Sequence, residues 1–162
     1  MNKPLCVVSC PIDTFSGYGA RSRDFVRSLI KEKGEEWDIK IVPQRWGDCP
    51  WNFLKDNDPL KQRFISGQMN QQPDIWFQIT VPNEFQPIGK YNIGVTAGIE
   101  TTIFPGEFIE GMNRMNLNLV SSEHSKKVAQ ATQFEKKNEQ GQVVGVVKCE
   151  KPVEVLFEGL DL

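Results

Sequence analysis

"LCVVSCPIDTFSGYGARSRDFVRSLI", residues 5–30, is the stretch on which the fold turns. Its first six residues make a continuous apolar run of strand length, the pattern of a strand buried on both faces. Two glycines, Gly17 and Gly19, follow in a short loop. Beyond them Tyr18, Ser22, Phe25, Val26, Leu29 and Ile30 recur at three- to four-residue spacing, with Arg21, Asp24, Arg27, Ser28 and Lys31 between. That spacing predicts an amphipathic helix, and Gly34 is placed to stop it. Strand, glycine loop and helix in this order open a parallel sheet covered by helices.

The same alternation continues outward. "WDIKIVP" (37–43) predicts a second strand, and "RWGDCPWN" (45–52), punctuated by Gly and Pro, predicts a loop. Pro59 after Asp58 suits a helix start, with Leu60, Phe64 and Ile65 as the apolar side of a short helix. "PDIWFQITVP" (73–82) and "YNIGVTAGIE" (91–100) predict two further buried strands, and Pro105 opens a helix carrying Phe108, Ile109, Met112 and Met115. "LNLVSS" (117–122) predicts a short strand, after which Ser121 or Ser122 caps the next helix. From Gln133 to Gly141 the composition is polar and charged, so a surface excursion is expected. With "QVVGVVKCE" (142–150) it makes a hairpin insertion over about 133–150, and "PVEVLFEGL" (152–160) predicts the last strand.

A chain of 162 residues with 39% hydrophobic content can bury one core and is short for two ordinary domains, so one domain over 1–162 is expected. The net charge of −2 gives no positive field for nucleic acid or an anionic membrane surface. A small molecule or a protein is the expected partner. No apolar run approaches the roughly 18 to 20 residues that span a bilayer, and the apolar start is broken by Ser9 and Pro11, which predicts a cytoplasmic protein. Cys6, Cys10, Cys49 and Cys149 form no CxxC pair, and with His124 the single histidine there is no zinc-ligand spacing. Reduced thiols are expected, with Cys6 and Cys10 on one face of the first strand.

The glycine loop bears on chemistry. A helix N-terminus presents unpaired N–H groups and a partial positive charge, and glycines at 17 and 19 let that backbone approach a phosphate or a sugar. A turn-making role for the two glycines stays open beside it. The dinucleotide fingerprint GxGxxG is incomplete, since Ser22 stands at its third glycine, and no GK[ST] follows as in a Walker loop. Hydride transfer and NTP hydrolysis lose support.

Three stretches, "FSGYGARSRDFVRSLI", "IGVTAGIETTIFPGEFIEGMNRMNLNLVSSEHSKKV" and "KPVEVLFEGLDL", resemble in order the N-terminal half of a retaining, two-domain glycosyltransferase of the GT-B fold, of the family 4 type. The likeness covers nearly the whole chain. It departs at Asn116, where the family usually has an acidic residue, and at Ser121, where it usually has proline. What the resemblance implies is a Rossmann-like three-layer domain with a mainly parallel sheet, the acceptor-side half of an enzyme that moves a sugar from a nucleotide-sugar donor to a carbohydrate or other acceptor hydroxyl with retention. The family's donor domain, with its basic residue and paired carboxylates, has no counterpart up to Leu162, so the chain alone is expected to be inactive. A stand-alone sugar-binding or regulatory module is the alternative.

By that resemblance Gly17, Tyr18 and Gly19 form one wall of the sugar-transfer cleft. Arg21 or Arg23 then neutralises phosphate from the first helical turn, unless both merely make a solvated face. Glu100 ends a predicted strand, where it orients an acceptor hydroxyl or holds a loop. His124 opens a later helix, as a substrate contact or as a surface or capping histidine. Trp46 and Trp51 flank Asp48, an arrangement that suits sugar stacking and equally suits packing of the indoles. The candidate substrate-binding set is therefore Gly17, Tyr18, Gly19, Arg23, Glu100 and His124. No residue is assigned to catalysis, and neither a metal nor a cofactor is expected.

Overall fold

The computed structural model of the chain describes residues 2–98 and 101–159. Strand β1 (Leu5–Cys10) is the hub, and Cys6 through Cys10 are withdrawn from water, which is why the run needs no polar alternation. Helix α1 (Gly17–Lys33) returns the chain to β2 (Asp38–Pro43), which pairs in parallel with β1 from Leu5↔Asp38 to Cys10↔Pro43. On its other side β1 pairs in parallel with β3 (Ile75–Ile79). Next come β4 (Tyr91–Val95), α2 (Gly106–Asn113), β5 (Leu117–Val120) and α3 (Glu123–Ala131). The chain continues through β6 (Gln133–Lys137), β7 (Val143–Lys148) and β8 (Val153–Val155). Six strands form one parallel sheet, order β2-β1-β3-β4-β5-β8, flanked by helices. This is the α/β, Rossmann-like architecture expected from the alternation of strands and helices.

The chain groups into two compact units. The first comprises the described parts of Met1–Thr80, Pro87–Asn92 and Glu158–Leu162. Its core is built on Val7, Val8, Ile39 and Ile41 with Val26 of α1, all wholly buried. Asp74 clasps this unit, accepting from the Leu5 N–H and the Lys90 ammonium, each at 2.9 Å. The Lys90 hydrogen bond, followed by that from Leu5, holds its carboxyl below the usual value.

The second unit comprises Val81–Gln86 and the described part of Ile93–Phe157. Phe85, Val95, Phe104, Ile109, Met112 and Val120 are buried within it. Ser122 is the cap of α3, accepting from the Ser125 N–H at 3.1 Å, while the Ser121 hydroxyl donates to the Ala97 carbonyl at 2.7 Å. The choice between the two serines is thus settled in favour of Ser122. Strands β6 and β7 form a separate antiparallel ribbon, and every residue of β6 is exposed.

Several segments differ from the sequence expectation. The strands expected over 73–82 and 91–100 end at Ile79 and Val95, so β4 stops short of the strand end expected at Glu100. After Pro59 only a 3-10 turn forms, Lys61–Arg63. Phe64 turns extended and bridges Ile41, whose carbonyl accepts from the Ile65 N–H at 2.9 Å, so the open edge of β2 captures residues that helical spacing assigned to an apolar face. The last strand is three residues long, not nine. Its partner β5 has only four residues, and the last bond of the pair runs from the Leu156 N–H to the Val120 carbonyl.

All four cysteines are free thiols. Burial pushes Cys6 and Cys10 up to about 12, so at pH 8 neither offers thiolate to an electrophile. Iodoacetamide at pH 8 is expected to label Cys49 readily and Cys149 more slowly, since both are partly exposed but burial raises the Cys149 thiol, and to leave Cys6 and Cys10 unmodified until guanidinium unfolds the protein. Peptide mass spectrometry checks this, and Cys10 labelled as fast as Cys49 would contradict it. No helix of the described residues is long and apolar enough to cross a membrane.

Candidate functional site

Strands β2 and β3 lie on opposite sides of β1, so the chain leaves the sheet in opposite directions from adjacent strands. In open α/β sheets such a reversal leaves a crevice outside the carboxyl ends of the strands, where ligands bind. The loop Pro11–Ser16 and the first turn of α1 stand at that point, beside the loop that follows β2.

The loop is closed by its own hydroxyls. Ser16 is the N-cap of α1, its Oγ accepting from the Gly19 N–H at 2.9 Å. Thr14 Oγ1 donates to the Pro11 carbonyl at 2.8 Å and lies 2.8 Å from Ser16 Oγ. The threonine's single proton goes to Pro11, so Ser16 donates to Thr14 and accepts from Gly19. One chain of three hydrogen bonds, from Gly19 through Ser16 and Thr14 to Pro11, fixes the start of the helix.

Gly17 and Gly19 differ sharply. Gly17 is exposed, and a Cβ built there meets nothing within 4 Å. It is the open point of the helix end, in a first turn without an acidic residue. Gly19 is buried: a Cβ there would lie 2.4 Å from the Thr14 carbonyl oxygen and 2.7 Å from Thr14 Oγ1. Its missing side chain makes room for the chain's own backbone. The glycine pair therefore combines one position facing outward with one required for packing.

The two arginines also divide. Arg23, only 5% exposed, donates through Nη1 to the Ile12 carbonyl at 2.8 Å and the Thr14 carbonyl at 2.9 Å. Its Cζ lies 3.5 Å from the centroid of the Phe53 ring. Burial, then the Arg27 charge, lower its pKa, while Asp24 and Asp13 oppose the shift. Arg23 is a clamp on the loop and, being buried, does not make a solvated face. Arg21 pairs with the Glu158 carboxylate, its side chain 8% exposed.

A second loop is stitched to the first. The Phe15 N–H donates to the Pro50 carbonyl at 3.0 Å, the Phe53 N–H to the Asp13 carbonyl at 3.1 Å, and the Leu54 N–H to Asp13 Oδ1 at 2.8 Å. These bonds bring Phe15 and Phe53 edge to face, centroids 5.0 Å apart. Tyr18 stacks on Trp46 at 4.1 Å with an interplanar angle of 23°, and Arg45 lies 5.9 Å over Trp51. Sequence reasoning found Tyr18, Trp46 and Trp51. It missed Asp13, Phe15 and Phe53, whose partners lie some forty residues away in the chain and leave no local periodicity.

Of the candidate set, Gly17, Tyr18, Gly19 and Arg23 are gathered in the first unit. His124 belongs to the second, exposed in the first turn of α3 with Nε2 3.3 Å from the Thr101 carbonyl oxygen. Glu100 lies outside the described residues. Tyr18 is held against Trp46, and Arg23 is held by the Ile12 and Thr14 carbonyls, so a fixed ring and a fixed loop stand beside the open helix end at Gly17. No family model matches the chain, and neither a curated protein nor a solved structure does.

Proposed function

We propose that the chain is the acceptor-side part of a retaining glycosyltransferase that moves a sugar from a nucleotide-sugar donor to an acceptor hydroxyl. The observation that carries this is the open first turn of α1 at Gly17, placed at the β1/β3 reversal of the sheet. Its partial positive charge suits an oxygen of the sugar phosphate or of the transferred sugar, and no carboxylate in that turn opposes it. Tyr18, held flat against Trp46, fixes the wall beside it. Retaining transfer needs charge developing on the leaving diphosphate to be stabilised. Arg23 is held by its own loop and Arg21 by Glu158, so that stabilisation falls to groups on a further donor-binding domain.

The test is to express the whole reading frame that encodes this chain and incubate it with UDP-, GDP- and ADP-hexoses and oligosaccharide acceptors. NMR of the product is expected to show transfer with the donor's anomeric configuration retained. Gly17→Val, which puts a branched side chain into the open space, is expected to lower kcat/KM by about a hundredfold while moving the melting temperature by only a few degrees. An inverted product, no transfer from any donor, or a Gly17→Val variant as active as the parent would each overturn the proposal.

A further inference from the structure

Phe15 and Phe53 are among the most water-exposed large apolar side chains of the first unit, at 54% and 43%. They are not loose. The three hydrogen bonds between the Asp13–Phe15 and Pro50–Leu54 segments hold both backbones, and Arg23 backs the Phe53 ring at 3.5 Å. Rings fixed in water forgo about 25 cal/mol for each Å² left uncovered, and fixing them in advance removes an ordering cost that a ligand would otherwise meet. Asn52, immediately before Phe53, is the one non-glycine among the described residues with a positive φ, 65°. Backbone held in that region clusters at ligand-binding loops.

The polar surroundings select the ligand. Arg45, Asp48 and Asn52 are all exposed in the same loop, one cation against one anion beside an amide. An anionic membrane surface asks for an excess of lysine and arginine, which is absent here. A neutral pyranose matches both parts, with an apolar C–H face for the rings and hydroxyls for the amide, guanidinium and carboxylate.

We propose that the Phe15–Phe53 pair and the adjoining loop 45–53 form a stacking platform for a neutral oligosaccharide. Binding itself stands on the platform. Naming the bound sugar as the acceptor rests on the sugar-transfer proposal.

Purified chain is titrated with maltopentaose, cellopentaose and mannopentaose by isothermal calorimetry and NMR. Phosphatidylglycerol vesicles and sedimentation of the chain alone serve as the competing tests. At least one pentasaccharide is expected to bind with a millimolar or tighter Kd. Phe15→Ala, which removes an exposed ring and no internal contact of Arg23, is expected to weaken it tenfold or more at an unchanged melting temperature. No binding of any of the three at about 10 mM, an affinity indifferent to Phe15→Ala, or Phe15-dependent binding to vesicles or to a second copy in place of sugar would overturn the proposal. Sugar bound by the platform in a full protein that transfers nothing would remove the enzyme and keep the platform. Transfer whose acceptor KM ignores Phe15→Ala would do the reverse.

Discussion

Replacing Arg23 with methionine is expected to lower stability by about 3 to 5 kcal/mol, because it removes one side chain and strands two buried carbonyls. The Ile12 and Thr14 oxygens each lose the charged donor Nη1, and both residues are wholly buried. Phe53 also loses the guanidinium at 3.5 Å. Relief of a desolvated charge offsets part of the loss, and methionine fills much of the volume. That relief is what makes exchange of a whole buried ion pair neutral, but here the acceptors stay behind. For a chain of this size the melting temperature falls by roughly 10 °C. Arg23→Lys, a point charge without the planar fork, should fall between the two. Thermal unfolding decides: a loss below about 1 kcal/mol would mean that the guanidinium is not the clamp. A phosphate-binding arginine would show the opposite pattern, normal melting with a raised KM.

The parts of the fold legible in the sequence are those governed by neighbours in the chain. β1 is withdrawn from water on both faces, so its six residues needed no alternation, and α1 follows its apolar spacing to within a residue of Gly34. Parallel order was expected from the alternation of strands and helical patterns, although among the early strands a full helix joins only β1 to β2, and the next two connections carry 3-10 turns at Lys61–Arg63 and Pro82–Glu84. What was illegible depends on distant partners. The segment after Pro59 has helical spacing, yet Ile41 on β2 pulls Phe64 into an extended bridge. Residues 152–160 have strand composition, but pairing ends where β5 ends. Apolar spacing assigned Ile109 and Met112 to the buried side of α2 and was silent on Gly111, where a Cβ would lie 1.8 Å from the Pro82 carbonyl oxygen. The site shows the same division. Gly17 to Arg23 were found because glycine and arginine are conspicuous at a helix start. That Arg23 reaches back over its own loop depends on Phe53 and Ile12, and a local pattern contains neither.

Gly19→Ala is expected to cost about 2 to 3 kcal/mol, whereas Gly17→Ala, two residues away in the same helical turn, should change stability by less than about 0.5 kcal/mol or raise it slightly. Both positions lie in α1 without a left-handed backbone, so glycine's conformational freedom is not what separates them. Space is. At Gly17 an added methyl meets nothing within 4 Å, and alanine restricts the unfolded chain more than glycine does. At Gly19 the methyl would sit 2.4 Å from the Thr14 carbonyl oxygen, a backbone atom that also accepts from Arg23. The loop cannot retreat without breaking that bond or the Ser16 cap on the Gly19 N–H. Paired unfolding curves therefore test the packing directly, with Gly19→Ala melting several degrees below Gly17→Ala. Equal curves would return Gly19 to the role of a simple turn residue. If the full protein transfers sugar, the folded fraction of Gly19→Ala should keep much of its rate, because the missing Cβ faces the protein's own loop. The obstruction of substrate belongs at Gly17, where the helix end is open.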